Sequence, residues 1–363
     1  MISWSIFCLM ACTNPNNSDT AHLIGDVVVA TVSMDYSTGV LASADLEDEI
    51  IYDEIATISG DPILRNTGDW IWQINRYQYD TLRKYAPSNL HMPIQEISLA
   101  PQTGSANPHD IVTCQNQAFV TQYELDELLV LDIDTLAVVD HVSLSEWSDA
   151  DGIPEASSMV QIDQSIFIAL QRLNRSNQFR SEGSIVLQID CATHEAINVW
   201  NIGHNIQLLS WNIENSIIPV LISESDSSNT PDNEDSPSET ASGTVYALEE
   251  TSWQVLWQSD QKITNASIFE KQLLLSHLSE DLSQYQLSCI DLLEQTSQQS
   301  TPWVEYLPEI HIQNPQKAWV AAHWGWSDIS NAQIGLHQID LQTCAVDKHL
   351  NFALAPVSFA FIE

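Results

Sequence analysis

The chain has 363 residues, with 49 Asp and Glu against 11 Lys and Arg, a formal net charge of −38. A surface this acidic repels nucleic-acid phosphates and anionic lipid headgroups, which excludes nucleic-acid binding and a polybasic membrane mode. Hydrophobic residues still supply 44% of the chain, with 12 Trp, 9 Tyr and 8 Phe, so wholesale disorder is excluded as well. Lys is scarce beside abundant Asn, Gln, Ser and Thr, a composition resembling adaptation to high salt, where carboxylates hold water and their repulsion is screened. The alternative is an acidic secreted protein from an ordinary habitat.

In chain order, Met1 to Ala11 form an apolar run, MISWSIFCLMA, ending at Cys12, after which TNPNNSDTAH is polar. Leu9-Met10-Ala11-Cys12 resembles a bacterial lipobox, in which a small residue precedes a cysteine that is lipidated and becomes the mature N-terminus. The expected organisation is a signal over 1–12, with Cys12 as the lipidation site, a polar tether over 13–25 and a folded body over 26–363. No other stretch approaches the ~20 apolar residues of a membrane-spanning helix.

From Asp26 onward helical periodicity is nearly absent, and short runs of β-branched and aromatic residues alternate with Ser, Asn, Asp and Gly. One pattern recurs: a strand, an anchoring residue at a turn, then another strand. It appears as GVLASAD to Asp45, TLRKY to Tyr85 as a weaker copy, ELLVLDID to Asp134, SIVLQID to Asp190, TVYALE to Glu249, YQLSCID to Asp291 and QIGLHQID to Asp340. These are seven units at intervals of 40 to 59 residues. Such a period, with several strands per unit, predicts an all-β, seven-bladed β-propeller. An Asp at the turn accepts backbone N–H bonds two residues on and so fixes the hairpin between the third and fourth strands of a blade. Unit three reads HDIVTC, AFVTQYE, ELLVLDID, AVVDHVSL, and unit four reads SMVQID, SIFIALQRL, SIVLQID, EAINVWNI.

The first unit, starting with VVVATVSM, has only three strands, while the chain ends in an orphan strand, PVSFAFIE. The C-terminal strand is therefore expected to complete blade 1 and close the ring, leaving no open edge. Residues 223–243, SESDSSNTPDNEDSPSETASG, lie between the second and third strands of blade 5 and have the composition of a disordered acidic loop. Cys114, Cys191, Cys289 and Cys344 are too far apart for a CxxC zinc pattern. Three of them fall near equivalent points on separate units, so buried free thiols are expected.

NPHDIVT, AFVTQYELDELLVLD, DADGIPE and IFIALQRLNR together resemble the extracytoplasmic seven-bladed propellers of the YncE-like, YVTN-repeat type and their bacterial lipoprotein relatives. The resemblance is strongest over residues 26–202; the departures are Gln122, where Arg is common, and few glycines. It implies the fold and an envelope location in the periplasm or outer membrane, but no single activity, because propellers serve as binding platforms, enzymes and scaffolds alike.

In a propeller, loops between second and third strands converge with blade-to-blade connections on one mouth of the channel. The repeat places Asp35 and Tyr36, Arg76 and Tyr77, Tyr123 and Glu124, Arg172 and Arg175, and His323 and Trp324 at equivalent second-strand ends. The inter-blade connections add His109, Asp110, Asp149, Asp151 and Glu155. The candidate ligand-binding set is Tyr36, Arg76, Tyr123, Arg172, Arg175, His109, Asp110 and Trp324. Arg76 and Arg172 are read in the same register of blades 2 and 4, where their planar guanidinium groups would hold a carboxylate or sugar-acid anion, or would bridge neighbouring blades. His109-Asp110 is either an acid–base pair or a turn in which Asp caps and His packs.

DADGIPE lacks the first ligand of a DxDxDG calcium loop, since Trp147 stands there, and no GxSxG, HExxH, P-loop or Rossmann pattern occurs. No metal, cofactor or catalytic residue is therefore assigned. The expected function is that of a monomeric, lipid-anchored binding or scaffold module for a protein, peptide or glycan. The alternative is a hydrolase of the lactonase or metal-dependent type on the same ring.

Overall fold

The computed structural model describes residues 25–102, 104–213, 216–224, 242–279, 283–324 and 333–362. The signal with Cys12, the tether to residue 24 and all but the ends of the 223–243 loop lie outside the described residues.

Regular structure among the described residues is almost entirely strand. Blade 1 begins with β1 (Val27–Val32), β2 (Gly39–Asp45) and β3 (Ile50–Ile58). Blade 2 is β4 (Pro62–Asn66), β5 (Ile71–Asn75), β6 (Thr81–Tyr85) and β7 (Gln95–Ser98). Blade 3 is β8 (Pro108–Cys114), β9 (Gln117–Gln122), β10 (Glu127–Asp132) and β11 (Val138–Ser143). Blade 4 holds β12 (Ala156–Ile162), β13 (Ser165–Leu170), a small inserted hairpin of β14 (Leu173–Asn174) and β15 (Arg180–Ser181), then β16 (Ile185–Asp190) and β17 (Ala196–Asn201). Blade 5 is β18 (His204–Ile213), β19 (Ser216–Glu224), β20 (Gly243–Glu249) and β21 (Ser252–Ser259). Blade 6 is β22 (Lys262–Phe269), β23 (Gln272–Leu278), β24 (Tyr285–Asp291) and β25 (Thr296–Gln299). Blade 7 is β26 (Tyr306–Asn314), β27 (Lys317–His323), β28 (Gly335–Asp340) and β29 (Ala345–Leu350), and the chain ends on β30 (Ala355–Phe361).

Seven four-stranded antiparallel sheets result, and the first has the order β3-β2-β1-β30. The C-terminal strand thus closes the ring as expected, with Val29 opposite Phe359 and Val28 opposite Ala360. The acidic loop leaves β19 and returns at β20, between the second and third strands of blade 5.

The middle strands explain why period-2 alternation is hard to see in this sequence. Each is packed on both faces, so alternate side chains serve different neighbours. In β9, Phe119 packs toward blade 4 while Ala118 and Val120 pack toward blade 2. The buried apolar residues form seven clusters, each sitting between two consecutive blades. β30 serves two of them at once: Phe359 and Phe361 pack with Trp319 and Leu336 of blade 7, while Val357 and Ala360 pack with Leu64 and Tyr85 of blade 2.

Four of the seven turn anchors behave as the hydrogen-bonding argument requires. The Oδ1 atom of Asp45 accepts from the amides of Glu47 and Asp48, Asp190 from Ala192 and Thr193, Asp291 from Leu293 and Glu294, and Asp340 from Gln342 and Thr343. Blade 3 corrects one assignment. Its anchor is Asp132, which accepts from the Thr135 amide and hydroxyl, rather than Asp134. ELLVLDID carries two aspartates two residues apart, Asp132 at the end of β10 and Asp134 in the turn, and sequence spacing alone cannot choose between them.

The cysteines also differ from the expectation. Cys114 and Cys191 form a disulfide with Cα atoms 6.1 Å apart, and Cys289 and Cys344 form another at 5.6 Å. The first joins blade 3 to blade 4 and the second joins blade 6 to blade 7. Position within the repeat misleads here. Cys114 ends an inner strand and Cys191 follows a third strand, and these non-equivalent points meet because one blade stacks on the face of the next.

Candidate functional site

The seven inner strands surround a central cavity of about 860 Å³. Their channel-side residues fasten five of the seven blade joints through a repeated device, a side-chain oxygen that takes a backbone N–H of the following blade. Ser358 accepts from Leu64, Asp110 from Met159, Ser158 from Leu208, Ser267 from Ile312 and Glu309 from Phe359, all at 2.7–2.9 Å. Two of these oxygens belong to carboxylates, and Arg65 lies between them. Its Nε donates to Asp110 at 2.7 Å and its Nη1 to Glu309 at 3.2 Å, tying blade 2 to blades 3 and 7. His311 adds a contact to Glu309 at 3.0 Å. Glu309 stays below the usual carboxylate range because His311 and Arg65 outweigh its burial.

At the mouth, Tyr36 is positioned by the turn after β1. The Asp35 carboxylate accepts from the hydroxyls of Ser33 and Ser37 and from the Ser37 amide, and bonds from Ser37 first and Ser33 next hold it at about 2. Tyr36 itself takes a left-handed backbone conformation, φ 56°. Gly60 permits this placement, since a Cβ there would stand 1.7 Å from the Tyr36 carbonyl oxygen. The Tyr36 hydroxyl reaches across the closing joint to His323 Nδ1 at 3.5 Å.

Arg76, just beyond β5, pairs with Asp61 at the start of the same blade. His109 lines the cavity and stacks on Tyr123, with centroids 4.3 Å apart and planes 14° apart. Burial first, then Arg76 and Arg65, push the imidazole well below its ordinary range, so it is neutral at physiological pH. The Tyr123 hydroxyl donates to Gln171 at 2.7 Å, and Gln171 donates to the Ile206 carbonyl, linking blades 3, 4 and 5 around the rim.

Beside the mouth, the hairpin inserted in blade 4 is held by a second charged cluster. Arg175 pairs with Glu124 of blade 3 and, at 3.1 Å, with Glu155, while its amide donates to Asp151. Glu155 is buried and its carboxyl is pushed up to about 7 by desolvation, despite the bonds from Leu173 and Arg175.

The sequence-derived candidates therefore divide. Tyr36, Arg76, His109 and Asp110 line the cavity. Arg175, held by Glu155 of its own blade, forms a strut to Glu124 of blade 3. Arg172 points along its own hairpin, with Nη1 on the Gly183 carbonyl and Nε buried without a partner among the described residues. Trp324 lies edge-on to His323 at 5.1 Å. The shared register of Arg76 and Arg172 is corrected: the amides of Arg76, Tyr123 and Gln171 donate to the carbonyls of Asp61, Asn107 and Glu155, so Gln171 is the counterpart of Arg76 and Arg172 is one residue further on. His109 and Asp110 are not an acid–base pair, since Asp110 is occupied by Arg65 and by the amides of Ile111 and Met159. His109, Asp110, Asp151 and Glu155 do not converge, and among the described residues no group of three or more His, Cys, Asp or Glu is placed to hold a metal ion.

Sequence reasoning missed Arg65, Glu309, Gln171, Gln207 and Tyr306, all of which line the cavity. The signal was present in β26, where Glu309 and His311 alternate with the core residues Ile310 and Ile312. Arg65 lies in blade 2, whose repeat is the weakest.

No protein-family model matches the chain, and no curated protein matches it. Solved structures do. A protein provisionally assigned as a 6-phosphogluconolactonase from Bacteroides fragilis NCTC 9343 superposes with a TM-score of 0.60 at 11% identity, over 93% of this chain and 97% of that one. The likeness is one of fold. Hydrazine synthase of Kuenenia stuttgartiensis gives 0.55 at 12% identity over 89% of this chain and 98% of that one. Apo AztD of Citrobacter koseri gives 0.52 at 12% identity, over 93% and 97%.

Proposed function

We propose that this chain is an extracytoplasmic, lipid-anchored binding module of the YVTN-repeat type, capturing a protein, peptide or glycan at its channel mouth. The observation that carries the reading is the character of that mouth. Tyr36, Arg76, His109 and Tyr306 converge on the cavity, and Met34, Tyr77, Tyr79 and Phe179 stand on the surrounding loops with 47–61% of their surface exposed. Met, Tyr, Phe and Arg are the side chains enriched at binding hot spots. The two disulfides favour an oxidising compartment, which agrees with a lipobox at Cys12. The surplus carboxylates then serve solvation.

The test is a Tyr36→Ala/Tyr77→Ala variant, in which neither aromatic ring belongs to a core cluster. Capture of ligand from a solubilised cell envelope is expected to weaken at least about tenfold, with the melting temperature within ~3 °C of the parent. Unchanged capture would contradict the reading, as would a melting temperature lowered by many degrees, which would mark the rings as struts.

A further inference from the structure

Resting on the mouth as a binding site, we propose that its ligand is the end of an uncharged, hydroxyl-rich saccharide, held by His109, Gln207, Tyr306 and Tyr36. The charged groups around the cavity are already matched. Arg65 lies between Asp110 and Glu309, Arg76 is paired with Asp61, Arg175 with Glu124 and Glu155, and Lys262 with Glu224 at 2.7 Å. An anion entering would find guanidinium groups that hold carboxylates, and would gain little while losing its hydration.

What remains unused is neutral. The imidazole of His109, the carboxamide of Gln207 and the hydroxyl of Tyr306 all line the cavity, and none has a hydrogen-bond partner among the described residues. Nδ1 of His323 lies 3.2 Å from the Trp324 carbonyl and must carry its proton to bond it, so the Tyr36 hydroxyl proton is free to donate into the mouth. A neutral imidazole, a carboxamide and two phenols each donate and accept, and so does every hydroxyl of a sugar.

The geometry around these groups suits such a ligand. A side cavity of about 300 Å³ between blades 5 and 6 shares Gln171, Gln207 and Tyr306 with the channel and adds the polar side chains of Asn205, Ser223 and Thr264. At the lip, Tyr36 and Tyr77 are about half exposed and offer ring faces to the C–H face of a pyranose. A site built to bond hydroxyls rejects an analogue that leaves those bonds unmade, which gives selectivity without charge.

The experiment probes the labelled full chain against an array of neutral, uronic, sialylated and sulfated oligosaccharides, with acidic and basic peptides printed alongside. Calorimetry then follows with the best neutral oligosaccharide. Binding confined to neutral glycans is expected. Gln207→Leu, Tyr306→Phe and His109→Phe, the last keeping the stack on Tyr123, should each weaken it about tenfold or more. Binding confined to anionic glycans or to peptides, yet still weakened by Gln207→Leu, overturns the ligand class and leaves the mouth as the site. Neutral-glycan binding that all three variants leave untouched overturns the site. Absence of binding to any printed probe overturns the saccharide assignment, and the envelope-capture comparison separately decides whether the mouth binds anything.

Discussion

Deletion of residues 357–363 is expected to abolish the cooperative unfolding transition. The lost segment carries Val357, Phe359, Ala360 and Phe361, which serve the joints of blade 1 with both blade 7 and blade 2. Each large apolar side chain withdrawn from burial costs about 1.5–3 kcal/mol, so the sum reaches the ~5–15 kcal/mol of a whole domain's stability before any hydrogen bond is counted. The bonds add to it. The deletion removes the pairing of β30 with β1, the Ser358 acceptor for Leu64, and the Phe359 amide bound to Glu309, leaving that carboxylate partly unsatisfied in the channel. Circular dichroism and calorimetry on the truncated chain would check this. A melting temperature equal to that of the full chain would mean that the ring does not depend on its C-terminal closure.

Loss of the two disulfides is the second large effect. Cys114 and Cys191 are separated by 77 residues and Cys289 and Cys344 by 55, spans for which the chain-entropy model gives about 4 kcal/mol each. Paired Cys114→Ser/Cys191→Ser and Cys289→Ser/Cys344→Ser variants should each lose about 2–4 kcal/mol, and the effects should add, because the two bonds cross different joints of the ring. Guanidinium unfolding with and without reductant measures this. The midpoint should fall on reduction in the parent and stay fixed in the quadruple variant. Equal midpoints in the reduced and oxidised parent would contradict the pairings.

Much of the fold was legible because a repeat multiplies weak signals. One strand-turn-strand unit is ambiguous, but seven at intervals of 40 to 59 residues leave little choice, and an incomplete first unit beside an orphan last strand reveals the closure. The site was less legible. Its loops were placed on the right side by connectivity, and Tyr36, Arg76, His109 and Asp110 do line the cavity. Their chemistry, however, depends on partners distant in sequence. Glu309 lies 244 residues from Arg65, and His323 lies 287 from Tyr36. Arginine shows this most clearly, since the same guanidinium group holds an incoming anion or bridges blades according to which carboxylates the fold brings beside it. In the structure Arg65 and Arg175 are struts, and within the cavity His109, Gln207 and Tyr306 keep hydrogen-bonding capacity that no described residue uses.

The two ends of the ring make the most direct comparison for the central claim, that the mouth is where this protein binds. A photo-crosslinking residue placed at Tyr77 stands at the mouth, in the loop after β5. The same residue at Met92 or Leu293, in the turns between third and fourth strands of blades 2 and 6, stands even more exposed at the opposite end. After irradiation in intact cells, the chain labelled at position 77 is expected to carry a specific adduct, which Tyr36→Ala removes, while chains labelled at 92 and 293 do not. Adducts at 92 or 293 with none at 77 would contradict the account.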